Sequence, residues 1–391
     1  MGTQSAISPA KCQCTSASGS TTSSSIERLP TELLDEILRY LYLEGALRCA
    51  LVARAWVPRA RRVIYGQISL STRHDDEALR CWKLCHTLSA CPDARYSVRY
   101  LEMCVYPWAN NALLLHLGWL NDLRAGQLRR ITIRVVDAET PTAHIRSVLL
   151  ASPARTSVTV LDVSGRFLNR EAGPASSPRT FDFPRLESLS VTLDRNDVCL
   201  AWHPLRCARL SHLTIRAYGY TEAMSQLMDT LAESVVSLHI QWPSAVGISL
   251  EDPERTAMSR ALSKLAQLEK LHINLNLAEP APILDDVLPH LRCLKELKCT
   301  AGTCSAHVFS CLPPTLERLY MYYPSEKGYS LVDPALLRYG STVALRVASG
   351  DLALRTFHYA IKSEPKIEEE FTEECRNAGI EFLGWSFYHD R

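Results

Sequence analysis

The feature that most constrains this chain is a short phrase, L-x-x-L-x-φ with φ apolar, which recurs in one phase from Val98 onwards. It reads VRYLEM from Val98, LRRITI from Leu128, VTVLDV from Val158, LESLSV from Leu186 and LSHLTI from Leu210. It continues as VVSLHI from Val235, LEKLHI from Leu268, LKELKC from Leu294 and LERLYM from Leu316, with TVALRV from Thr342 as a weaker member. The fourth positions, from Leu101 to Leu345, lie 22 to 33 residues apart. Apolar–polar alternation within each phrase predicts a half-buried strand. The stretches 222–234, 254–267 and 282–293 between phrases carry helical periodicity. One such strand–helix unit cannot bury its apolar face alone, so neighbours must stack. The predicted α/β fold over 67–391 is therefore a solenoid with parallel strands on its concave face and helices on its convex face. GQISL at 66–70 leads in, and a helix and strand within 361–385 close the far end. A doubly wound α/β domain also alternates strands and helices, but it has no reason to repeat one phase in every strand.

A different texture precedes the repeats. Residues 1–25 are rich in Ser and Thr and predict a disordered tail. Residues 26–66 predict three short helices. Leu33, Leu34, Ile37, Leu38 and Leu41 share one helical side, with Pro30 in the first turn, where a missing N–H costs nothing. Gly45 is expected to break the chain before a second stripe of Leu47, Ala50, Leu51 and Val52. Trp56 and Pro58 open a third helix through Ala60, Val63 and Ile64. A block this small, with apolar stripes on every helix and no staple, lacks the buried surface to stand alone and wants a partner.

This block resembles an F-box on Leu29-Pro30, Glu32-Leu33, Ile37, Leu41, Leu51-Val52 and Trp56. The segment after Trp56, VPRARRVIYGQISL, is similar to F-box proteins of mushroom-forming fungi. More loosely, the repeats resemble leucine-rich repeats. The usual Asn or Cys ladder is missing: only Asn276 falls in place, with Asp194, Pro243, Gly302 and Pro324 elsewhere, which implies an irregular solenoid. The resemblance implies docking of the F-box on the Skp-type adaptor of a Skp–cullin–F-box ubiquitin ligase, with the repeats choosing the protein substrate. The adaptor-facing candidates are Leu29, Pro30, Leu33, Ile37, Leu51, Val52 and Trp56, while Leu34, Leu38 and Val63 are assigned to the internal core. The alternative is an interaction scaffold acting outside ubiquitination.

Residues flanking the inward Leu of each strand should face the concave side. Candidate substrate contacts there are Arg134, Arg216, His239, His272, Asn274, Lys298, Tyr320, Tyr322 and Arg346, a face read as having no carboxylate after Asp162. That mixture suits a partner with acidic or phosphorylated surface.

Other classes find little support. A net charge of +1 gives no reason to expect nucleic acid or an acidic membrane as partner. No apolar run approaches the ~18 residues of a membrane span. Fourteen cysteines without an export signal read as reduced side chains, so cytosol or nucleus is the expected compartment. Cys81, Cys85, His86 and Cys91 invite a zinc reading, but His86 leaves the helical face that Cys81 and Cys85 share, and no CxxC knuckle is present. No phosphate loop, GxSxG or HExxH motif appears, so no enzyme, metal or cofactor is expected.

Overall fold

The computed structural model describes residues 30–41, 43–52, 54–106, 114–135, 143–168, 181–194, 205–243, 247–322, 340–360 and 365–384. The Ser/Thr-rich tail and Leu29 lie outside these residues. Two compact units divide the chain after Ile64.

The first unit holds α1 (Thr31–Tyr40), α2 (Leu43–Val52) and α3 (Val57–Ile64). Its interior is small: Leu34, Leu38, Ala46 and Ala60 are buried. Arg59 and Arg62 of α3 reach Asp35 of α1 at 3.9 and 3.6 Å. Gly45 does not break the chain as expected. It lies inside the first turn of α2, where a side chain would press on Leu41. The break falls just before it, at Leu41, whose backbone turns extended.

In the second unit the main sheet begins with β1 (Gln67–Ser71), β2 (Tyr100–Val105), β3 (Arg130–Val135) and β4 (Val160–Ser164). A two-residue pair, β5 (Phe181–Asp182) and β7 (Leu205–Arg206), forms a separate small sheet. The main sheet continues through β6 (Ser188–Leu193), β8 (His212–Ala217), β9 (Ser237–Trp242) and β10 (Lys270–Leu275). It ends with β11 (Glu296–Thr300), β12 (Arg318–Tyr322), β13 (Thr356–Ala360) and β14 (Glu381–Leu383). These twelve strands are all parallel and stand in chain order. A doubly wound sheet reverses direction at a switch point and covers both faces. Here the order never reverses, and typical strands alternate buried with half-exposed residues, so one face alone is packed. The result is an open, solenoid-like α/β arrangement.

The phase predicted from sequence is the phase of the core. Leu101, Ile131, Leu161, Leu189, Leu213, Leu238, Leu271, Leu297 and Leu319 are each at most 1% exposed. Burial of one such side chain is worth roughly 1.5–3 kcal/mol, so every unit has its own anchor. Outside the strands proper, one amide before each strand bonds the matching carbonyl of the unit before, as Thr159 to Arg129, Glu187 to Thr159 and Ser211 to Glu187. Helices such as Glu222–Leu231 and Asp252–Ser263 pack behind the strands, as their periodicity predicts.

The weakest phrase is not a strand. TVALRV lies in the helix Ser341–Ala348, and the tenth unit is LRTFHY at 354–359, with Leu354, Phe357 and Tyr359 buried. Aromatic residues stand there where the other units have aliphatic ones, which hides the phrase. The closing helix, Pro365–Asn377, and strand β14 follow as expected.

Candidate functional site

Because the units share one register, the open face of the sheet carries straight rows of side chains, one residue per strand. The central row runs Ser69, Glu102, Thr132, Asp162, Ser190 and Thr214. It continues through His239, His272, Lys298, Tyr320, His358 and Leu383. Neighbours in such a row sit about 4.8 Å apart, close enough for flat rings to stack.

The two ends of this row differ in chemistry. At the amino end two cations have partners: Arg134 lies 3.9 Å from Glu102, and Arg216 lies 3.8 Å from Asp162 while donating to Ser190 Oγ. Tyr100, Glu102, Arg130, Thr132 and Arg134 border a shallow hollow of about 280 Å³.

From β9 to β13 the row is made of rings, interrupted on β11 by Lys298. His239 and His272 stack with centroids 4.1 Å apart and planes 2° from parallel. His272 Nε2 is hydrogen-bonded to the Tyr322 hydroxyl, and the two rings meet edge to face. Tyr322 reaches it across β11, where Thr300 is small and turns its hydroxyl to the Leu275 carbonyl. Lys298 Nζ sits 4.7 Å from the centre of the Tyr320 ring, and Tyr320 stacks on His358 at 4.6 Å. Lys298 also pairs with Glu296 at 3.1 Å, and Glu296 holds Arg318 at 2.9 Å. Asn274 is half-buried beside this cluster, in register with Gln241.

Burial favours the uncharged forms of the histidines and of Tyr322 in this cluster. It lowers the pKa of His272 to about 4, with help from the charges of His239 and Lys298 and against the pull of Glu296. Burial likewise lowers His239, reinforced by Arg216 and Lys298. His358 is lowered by burial, with Glu381 opposing and Lys298 adding. Tyr322 is pushed well up by burial and by Cys299. At neutral pH the three histidines are uncharged imidazoles and Tyr322 an uncharged phenol, suited to stacking and hydrogen bonding.

Several sequence expectations change here. Arg346 is not on the open face. It lies on the helix Ser341–Ala348, where its guanidinium donates to the carbonyls of Phe309, Ser310 and Leu312 and so ties one helix end to the next. Carboxylates do follow Asp162: Glu296 and Glu381 face the same side, each one residue before the inward anchor of its strand. His358 was missed because its strand was.

The helical unit presents a second candidate surface. Leu33 and Ile37 of α1 are about half exposed, at 48% and 47%, while their neighbours Leu34 and Leu38 are buried. On α2, Leu51 and Val52 are 88% and 74% exposed. Pro30 is exposed and Trp56 is half-buried. Val63, assigned to the core by sequence, is also only half-buried.

Among the described residues no three His, Cys, Asp or Glu side chains are grouped to hold a metal ion. Cys81 and Cys85 are buried, while His86 stacks on the Trp82 ring. No described helix is long and apolar enough to cross a membrane. Searches of protein-family models and of curated protein sequences return no match to this chain.

Proposed function

We propose that this protein is the substrate-receptor subunit of a Skp–cullin–F-box ubiquitin ligase, working in the cytosol or nucleus. In this reading α1–α3 are an F-box, and the second unit is an irregular leucine-rich-repeat solenoid that selects a protein substrate. The observation that carries it is the split on α1 and α2. Side chains of the F-box pattern, Leu33, Ile37, Leu51 and Val52, stand exposed, while the alternate Leu34 and Leu38 fill the interior. A soluble helix rarely leaves so much apolar surface in water without a partner to cover it. In this reading the chemistry of ubiquitin transfer belongs to other subunits.

The substrate end is the ring row from β9 to β13. Lys270, Lys298 and Arg318 outnumber Glu296 and Glu381 around it, which favours a partner segment carrying carboxylates or phosphates beside an aromatic residue. The test is co-purification from cells. The intact chain should bring down a Skp-type adaptor and a cullin, and a Leu33→Asp/Ile37→Asp variant should bring down neither. Unchanged recovery by the variant rules out the docking surface. Abundant partners without adaptor or cullin would instead favour a scaffold acting outside ubiquitination.

A further inference from the structure

The edge of the sheet where the strands begin carries an arginine in the turn ahead of each of five successive strands: Arg95, Arg124, Arg155, Arg185 and Arg209. Three of them serve the fold. Arg95 donates to the carbonyls of Leu88 and Ser89 and pairs with Asp122 at 3.2 Å. Arg124 lies 3.9 Å above the Tyr96 ring, and Arg155 donates to the Leu150 carbonyl.

Arg185 and Arg209 do nothing of the kind. Both are exposed, and among the described residues neither has a hydrogen bond, ion pair or ring contact. Each stands three residues ahead of a paired position, Ser188 and His212, so they occupy adjacent turns on neighbouring strands. Glu187, the carboxylate nearest Arg185 in sequence, forms no ion pair with either arginine among the described residues. Two like charges side by side without a counter-ion repel each other, and the packing of the fold gains nothing from them.

Both arginines border one hollow of about 480 Å³, together with Ala125, Gly126, Thr156, Ser157 and Pro184. The amides of Ala125 and Gly126 make no hydrogen bond among the described residues. They lie at the centre of a turn closed by Gln127 N–H on the Arg124 carbonyl, with Gly126 at φ 87°. Two guanidiniums and the free amides make a donor set suited to a tetrahedral oxyanion, while the Thr156 hydroxyl donates to the Pro153 carbonyl.

We propose that this hollow binds a phosphate group, with Arg185 and Arg209 as its charged donors. The site is separate from both surfaces described above and does not depend on the function proposed for them. Calorimetric titration of inorganic phosphate into the full chain, at fixed ionic strength, tests it. Saturable one-site binding is expected. Arg185→Gln/Arg209→Gln should weaken it about tenfold or more, the usual consequence of losing hydrogen bonds to a charged group. Arg260→Gln, an exposed cation on a distant helix, should bind as the parent does. Both exposed arginines are free of structural contacts, so an unchanged melting temperature is the control for folding. Absence of saturation, or equal binding by the double variant, overturns the proposal. A phosphoserine peptide and its unphosphorylated twin separate the sources. Binding tighter than inorganic phosphate, and lost without the phosphate, identifies a phosphorylated chain as ligand, and affinity equal to inorganic phosphate identifies the free anion.

Discussion

His239 and His272 lie face to face on adjacent parallel strands, their rings 2° from parallel and 4.1 Å apart, and His239 Nε2 is buried without a hydrogen-bond partner. Protonating either ring would place a charge against its neighbour, between the cations Arg216 and Lys298. The stack therefore belongs to the neutral forms.

Stability should consequently fall on acidification. Both histidines have folded-state pKa values below the usual 6.5, that of His272 being about 4, so the unfolded chain binds more protons than the folded one at mildly acid pH. The stabilisation is full above about pH 6.5 and is lost progressively towards pH 4. Partial exposure discounts the effect to about 1 kcal/mol for the pair. Urea unfolding midpoints across that range, compared with His272→Gln, check it: the variant should show a shallower decline.

Changes at Leu33 and Leu38 should separate docking from folding. Leu33→Asp places a charge on a surface already half exposed and should leave helix content and melting temperature nearly unchanged. Leu38→Asp buries a charge that has no partner and should unfold the helical unit, at a cost of several kcal/mol. Circular dichroism of both variants decides; equal melting would contradict the inside–outside assignment.

Truncating one repeat anchor should be costly. Leu271 is 1% exposed and stands mid-array, so Leu271→Ala should destabilise the second unit by about 2–5 kcal/mol. Chemical denaturation measures this, and a loss below about 1 kcal/mol would mean that the core collapses around the gap.

Arg346 and the tyrosines should behave oppositely. Arg346→Ala removes donors from three carbonyls and should lower stability by about 1–3 kcal/mol while leaving partner capture intact. Tyr320→Ala/Tyr322→Ala should spare folding more and cut partner recovery in proximity labelling. Equal labelling by the tyrosine variant would remove the ring row from consideration as the binding patch.

Much of this arrangement could be read from the chain alone. A phase repeated through nine phrases determines the strands and their inward residues, because the apolar side chain that must leave water recurs at the same place in each unit. Periodicity puts Leu33, Leu34, Ile37 and Leu38 on one helical side, and the division of Leu34 and Leu38 from Leu33 and Ile37 came with the F-box resemblance instead. Where local pattern is ambiguous it failed: TVALRV fits strand and helix alike, and only packing made it a helix, with Arg346 turned to helix-end carbonyls. LRTFHY went unrecognised although its Phe357 does what Leu does elsewhere. Gly45, expected to break the chain, lies within α2, and the break falls at Leu41 instead.

The sequence by itself determined the repeating unit and its phase, since these follow from periodicity along the chain. The tertiary structure alone decided which side chains meet across strands. Residues 239, 272, 298, 320 and 358 are far apart in sequence, and the uneven loops between them hide their common register. Only when each strand hydrogen-bonds to the last do they become one row, whose burial leaves the histidines neutral and whose spacing lets the rings stack.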